Sequence, residues 1–154
     1  MVGDSSGAFV GLVRICDPFL MTDEQLLQLA NDIRERAYAP YSGFKVGAAL
    51  LCADGTVFTG VNIESATYTP SICAERTAFF KAISEGYQDF VKIAVTCDKE
   101  YCSPCGVCRQ VMVEHAPNLE ILLGNPSGTF KRMTIKELLP ESFSLRDDCD
   151  PCSS

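Results

Sequence analysis

The chain has 154 residues, 47% of them hydrophobic and 21% charged, with a formal net charge of −7. That is the length of one domain with enough apolar side chain for a core, and no stretch approaches the roughly twenty apolar residues of a membrane span. The acidic balance disfavours a polynucleotide partner, which needs a basic face, since Lys131-Arg132 is the only adjacent basic pair; it suits a small, uncharged substrate.

Residues 1–20 carry Asp4 and no basic cluster before a short apolar run, so they read as an N-terminal extension and a poor secretory leader. Nine cysteines, an odd number, cannot all pair within one chain. In a leaderless chain they are expected to be reduced, metal-bound or reactive, which makes the expected compartment cytoplasmic.

Thr22 and Gln25 form a capping box that opens a helix over 23–37, where Leu26, Leu29, Ala30, Ile33 and Ala37 recur at helical spacing. Ala39-Pro40-Tyr41-Ser42-Gly43 ends it. Two apolar runs, 46–51 and 56–61, flank Asp54-Gly55, the signature of an antiparallel hairpin. A second helix is predicted over 74–85, with Gly86 placed to close it in the left-handed conformation. A buried strand follows at 91–96. Pro104 then opens a helix to about residue 115, with Cys108, Val111, Met112 and His115 on one face. Another strand is expected at 119–123. Thr134 and Glu137 cap a short helix that stops before Pro140. Helices alternating with strands imply a three-layer α/β/α domain with a mixed five-stranded sheet. Its first two strands form the hairpin and the later ones run largely parallel. The domain is assigned to 21–145, followed by a C-terminal tail at 146–154.

Two segments carry chemistry: Cys73-Ala74-Glu75-Arg76 and Pro104-Cys105-Gly106-Val107-Cys108-Arg109-Gln110. Both fall at predicted helix N-termini, where the partial positive charge favours thiolate over thiol. A catalytic zinc takes three protein ligands and keeps one position for water. Cys105 and Cys108, three apart, face the same side of one turn, and Cys73 from the other helix completes a triangle. Three thiolates around Zn²⁺ leave a net charge of about −1, which makes the water less acidic. Arg76 or Arg109 could hydrogen-bond a sulfur and offset that charge. Glu75 is placed to take a proton from zinc-activated water and pass it to a ring nitrogen and then to a leaving amine.

Other readings use the same residues. Cys102 lies three before Cys105 and would complete a four-cysteine structural zinc site, and a Cys-x₂-Cys pair also serves redox dithiols. Cys149 and Cys152 repeat the spacing in the tail with no assigned role. Cys16, Cys52 and Cys97 read as ordinary buried cysteines. His115 reads as a favourable contact at a helix C-terminus rather than a ligand.

The chain resembles the small, homotetrameric, zinc-dependent cytidine deaminases. The resemblance runs from about residue 23 to 143 and rests on four ordered motifs: residues 37–49 around Pro40-Tyr41-Ser42-Gly43-Phe44, residues 60–68 around Asn62-Ile63-Glu64, and the two cysteine segments. It implies hydrolytic deamination of cytidine and 2′-deoxycytidine to uridine and 2′-deoxyuridine with release of ammonia, one Zn²⁺ per subunit and a role in pyrimidine salvage. It also implies that Asn62 and Glu64 hydrogen-bond the ribose 3′-hydroxyl, that Phe44 packs near the pyrimidine, and that the backbone at Ala74 contacts the base. Glu75 would also bond ring N3. Ala66, Tyr68 and Phe143 would serve a neighbouring subunit's site, so active sites are shared. A small lone domain has little spare surface to close a nucleoside pocket, which agrees with an oligomer. Thr69-Pro70-Ser71 and Val107 depart from the common family pattern beside the site. The alternatives are a deaminase of another cytosine compound such as blasticidin S, and a zinc-stabilised module without turnover.

Overall fold

A computed structural model of the chain describes residues 12–14 and 21–145; Cys16, Cys149 and Cys152 lie outside them. Thr22 caps α1 (Asp23–Arg34) with the expected reciprocal pair: its hydroxyl accepts from Gln25 N while the Gln25 side chain reaches back to the Thr22 backbone. The helix stops short of Ala37 because Arg36 N and Ala37 N bond to carbonyls only three residues back, at Ile33 and Arg34. The hairpin is β2 (Val46–Cys52) and β3 (Thr56–Val61), and Gly55 takes φ +85 in its turn. Then come α2 (Ala74–Ser84), β4 (Phe90–Cys97), α3 (Gly106–His115) and β5 (Glu120–Gly124). Gly86 closes α2 at φ +90. Two further strands complete the sheet: β6 (Phe130–Thr134), and β1 (Leu12–Arg14), which pairs antiparallel with β3 inside the segment read as an extension. Thr134 caps α4 (Ile135–Leu138) with the second expected box.

The strand order is β1-β3-β2-β4-β5-β6, so the four strands located from sequence are joined by β6, which makes up the expected five, and by the short β1 at the other edge. Only β4 and β5 run parallel; β6 returns antiparallel to β5. The connection between those two, residues 125–129, is too short for the crossover a parallel neighbour needs. Alternate residues feed two cores. Ala48, Leu50, Phe58, Ile93, Val95, Ile121 and Leu123 pack with α2 and α3. Ala49, Leu51, Val57, Ala94 and Leu122 pack with Leu26, Leu27 and Ala30 of α1. The sheet therefore has one helix on one face and the site-bearing helices on the other.

Gly60 sets how closely α2 approaches. A Cβ there would stand 2.5 Å from Ala78 N and closer still to the Ala74 carbonyl oxygen. Both contacts are backbone, which cannot swing aside. Gly60→Ala is expected to cost about 2–3 kcal/mol in denaturant unfolding, an overpacking effect, and to weaken metal retention because Ala74 follows Cys73.

Asp23 ties the start of α1 to β4 and β6 on the face of the sheet that the helix covers. Its carboxylate takes Lys92 Nζ at 2.5 Å and Arg132 Nη2, and Lys92 also pairs with Glu120 at 2.8 Å. Burial raises the Asp23 pKa, but the hydrogen bonds from Lys92 and Arg132 outweigh it and leave it below the ordinary 3.8. A carboxylate depressed on folding stabilises above its unfolded pKa and loses that contribution as pH falls through the folded value. Asp23→Asn is therefore expected to cost about 1–2 kcal/mol at pH 7 and to flatten the fall in unfolding midpoint below about pH 4, measured by urea titration at a series of pH values.

Candidate active site

Both cysteine segments fold as N-caps. Cys73 holds the N-cap position of α2 and Cys105 that of α3, each with an extended backbone and neither spending its sulfur on a capping hydrogen bond. Cys108, one turn into α3, is fully buried behind them. The three sulfurs lie within 4.8 Å of one another, with Cys73 and Cys105 at 3.8 Å. Sulfurs held about 2.3 Å from one tetrahedral zinc stand about 3.8 Å apart, so the cluster fits that ion. Among the described residues it is the one group of three or more candidate ligands so arranged. Cys102 is buried nearby but is not part of it.

The electrostatics are those of a site that wants a cation. Hydrogen bonding from Cys108, then from Arg76 and Cys105, outweighs burial and holds the Cys73 thiol down at about 5. The same contact with Cys73, together with burial, drives the Cys108 thiol up. Arg76 Nη2 donates to Cys73 Sγ at 3.8 Å and brings the expected positive charge. Arg109 is used otherwise: it donates to the Pro104 carbonyl at 2.9 Å, the Leu138 carbonyl at 2.6 Å and Ser103 Oγ at 2.9 Å, so it clamps the entry to α3.

A cavity of about 380 Å³ opens beside the cluster. Glu75 lines it and is 5% exposed. Burial pushes the Glu75 carboxyl up to about 7, with the Cys73 charge adding to the rise. Phe44, Asn62, Ala74, Cys73 and Cys105 line it as well. The Asn62 amide is engaged at both ends, accepting from Val46 N and donating to the Phe44 carbonyl, each at 2.8 Å. Glu64 is not among the residues that line the cavity; its carboxylate is turned to the 41–42 turn, accepting from Tyr41 N at 3.0 Å and Ser42 N at 3.2 Å. Ala66, Tyr68 and Phe143 are exposed and outside the cavity lining; Tyr68 is 81% exposed with φ 58. The Phe143 carbonyl accepts from Gln110 Nε2 at 2.9 Å, which lays the last segment on α3.

Val46 and Cys97, at the ends of β2 and β4, add to the walls, and the β4–α3 connection supplies Cys102 together with Lys99, Tyr101 and Ser103. Sequence reasoning did not assign these last three, since a loop has no periodicity to betray which side chains face inward. The available signal was position: ligands of open α/β sheets bind outside the carboxyl ends of strands, and these residues follow the end of β4 and lead into Pro104-Cys105. Cys52 and Cys97 are buried, as expected. His115 closes α3 with its ring 6.5 Å from that of Phe79.

A layered α/β domain that gathers three thiols at two helix N-termini beside a buried carboxylic acid defines a zinc-dependent hydrolytic site. Residues 20–121 match the family model of the cytidine and deoxycytidylate deaminase zinc-binding region. A cytidine deaminase of Halalkalibacterium halodurans is 51% identical over 129 residues, covering 82% of this chain and 98% of that protein. One of Sporosarcina psychrophila is 47% identical, covering 82% and 95%. A crystal structure of cytidine deaminase from Burkholderia pseudomallei superimposes with a TM-score of 0.78 at 48% identity, covering 80% of this chain and 100% of that one. The chain belongs to the cytidine and deoxycytidylate deaminase family.

Proposed function

We propose that the chain hydrolyses cytidine and 2′-deoxycytidine to uridine and 2′-deoxyuridine, releasing ammonia, as a step of pyrimidine salvage. The observation that carries this reading is the placement of Glu75: a buried carboxyl that lines one cavity with Cys73 and Cys105 of the three-cysteine cluster. Cys73, Cys105 and Cys108 hold one zinc per chain. When bound, zinc supplies a Lewis acid that makes a water molecule more acidic at neutral pH. Arg76 offsets the charge of the thiolates. Glu75 takes a proton from the attacking water and gives it to ring N3; it then takes the second proton from the same oxygen, now bonded to the ring carbon, and delivers it to the departing amine as the carbon–nitrogen bond breaks. The Ala74 backbone orients the base, Phe44 packs against the pyrimidine, and Asn62 and Glu64 face the ribose.

The catalytic domain is 21–145, with β1 of the N-terminal extension 1–20 added at the edge of its sheet and 146–154 as a C-terminal tail, and it works in the cytoplasm; among the described residues no helix is long and apolar enough to cross a membrane. We assign Ala66, Tyr68 and Phe143 to a neighbouring subunit's site in a homotetramer. Their exposure, away from this chain's own cavity, supports that assignment. Sedimentation with activity at matched concentrations tests it: a fully active monomer would refute the shared site. The reaction itself is tested by ammonia release from cytidine, cytosine, cytidine monophosphate, single-stranded DNA and blasticidin S. Cytidine and deoxycytidine should dominate; preferential turnover of any of the others would replace this reading.

A further inference from the structure

Phe44 forms a wall of the cavity, yet it belongs to no strand: β2 begins two residues later, at Val46. Something outside the sheet ladder must fix it. Gly43, at φ +66, turns the chain just before it, with Gly43 N bonded to the Ala39 carbonyl at 3.0 Å. On the far side, Asn62 Nδ2 donates to the Phe44 carbonyl. The remaining backbone group, Phe44 N–H, donates to Ser42 Oγ at 3.0 Å. Ser42 in turn gives its one proton to Glu64 Oε1, while Ser42 N and Tyr41 N donate to Glu64 Oε2. A hydroxyl has one donor, and its lone pairs accept. The Glu64 carboxylate, held below the ordinary range chiefly by the Ser42 hydrogen bond, therefore orients the hydroxyl so that a lone pair faces Phe44 N. Lys99, another residue of the cavity wall, places its Nζ 5.5 Å from the centre of the Phe44 ring.

We infer that Ser42 is a positioning residue for substrate binding: it links Glu64 to the Phe44 backbone and so sets the wall that the pyrimidine packs against. The inference rests on the proposed cytidine reaction. Ser42 does not line the cavity, so its effect passes through the two residues its hydroxyl joins, Phe44 and Glu64. The wall contacts ground state and transition state alike, and losing such uniform binding raises KM while sparing kcat.

The test is steady-state cytidine turnover by the zinc-loaded wild type, Ser42→Ala and Ser42→Thr, with zinc content and thermal midpoint for each. Ser42→Ala should raise KM about tenfold, the size of one lost hydrogen bond. Its kcat should stay within about threefold, its zinc should be complete, and its midpoint should shift by no more than about 3 °C. Ser42→Thr, which keeps the hydroxyl, should bring KM back to within about twofold of wild type. An unchanged KM in Ser42→Ala overturns the inference. So does a fall in kcat together with zinc loss, because that marks a merely structural role. A wild type that releases no ammonia from cytidine is a separate outcome; it defeats the proposed reaction and this inference with it.

Discussion

Glu75→Gln is expected to fold, retain one zinc per chain and lose about 10³–10⁴-fold in cytidine turnover, the upper range for one positioned acid–base group. Gln fills the same volume in the first turn of α2, so packing against the core is kept. What disappears is a group able to accept the two protons of the attacking water in turn and pass one to N3 and the other to the amine. Because one carboxyl serves each of these transfers, its loss is felt at each. The burial that raises its pKa to about 7 also leaves Glu75 near the pH at which giving and taking a proton are balanced. A bound dication beside it pulls the value down again by favouring the charged form, so the loaded enzyme should hold Glu75 ionised and ready to act first as base. KM should change little, since the loss lies in transition-state interactions. The comparison is kcat by spectrophotometric turnover on protein of verified zinc content. Near-normal kcat in folded, zinc-loaded Glu75→Gln would remove Glu75 from the mechanism.

Cys73→Ala is expected to lower zinc affinity by more than about 10²-fold, since loss of an outer hydrogen-bond partner alone costs 10–100-fold, and to abolish turnover at ordinary zinc concentrations. The sulfur 3.8 Å from Cys105 is the only ligand contributed by α2. Its removal leaves two thiols on one helix, too few to hold the ion against solvent and chelators. Cys102→Ala is the control. Cys102 is buried beside the cluster without joining it, so its loss should leave zinc stoichiometry intact. Competition with a metallochromic chelator reads both. Retained zinc in Cys73→Ala, or zinc lost from Cys102→Ala, would favour the four-cysteine structural site instead.

Features fixed by local chemistry were legible in the chain itself. The capping boxes at Thr22 and Thr134, the Asp54-Gly55 turn and the left-handed Gly86 each depend on residues within a few positions of one another. The ligand spacing of Cys105 and Cys108 is of the same kind. Strand β6 escaped notice because Phe-Lys-Arg-Met-Thr lies on an edge with only Phe130 and Met133 partly covered, so no alternation marks it. Its direction was decided by the short 125–129 link, information that was present but unused. The three-residue β1 exists only by pairing with β3, a tertiary fact. The same limit governs the site. That Cys73 meets Cys105 was inferable from two helix starts, whereas the inward facing of Lys99 and Tyr101, and the use of Arg109 as a backbone clamp, depend on the path of a loop.

The central claim is that the three-cysteine cluster holds the zinc on which cytidine deamination depends. The most direct measurement is turnover of cytidine by the metal-stripped chain as zinc is returned. Activity should rise from near zero in proportion to bound zinc and level off at one equivalent per chain. Full turnover in the stripped chain, or none at one equivalent of zinc, would contradict it.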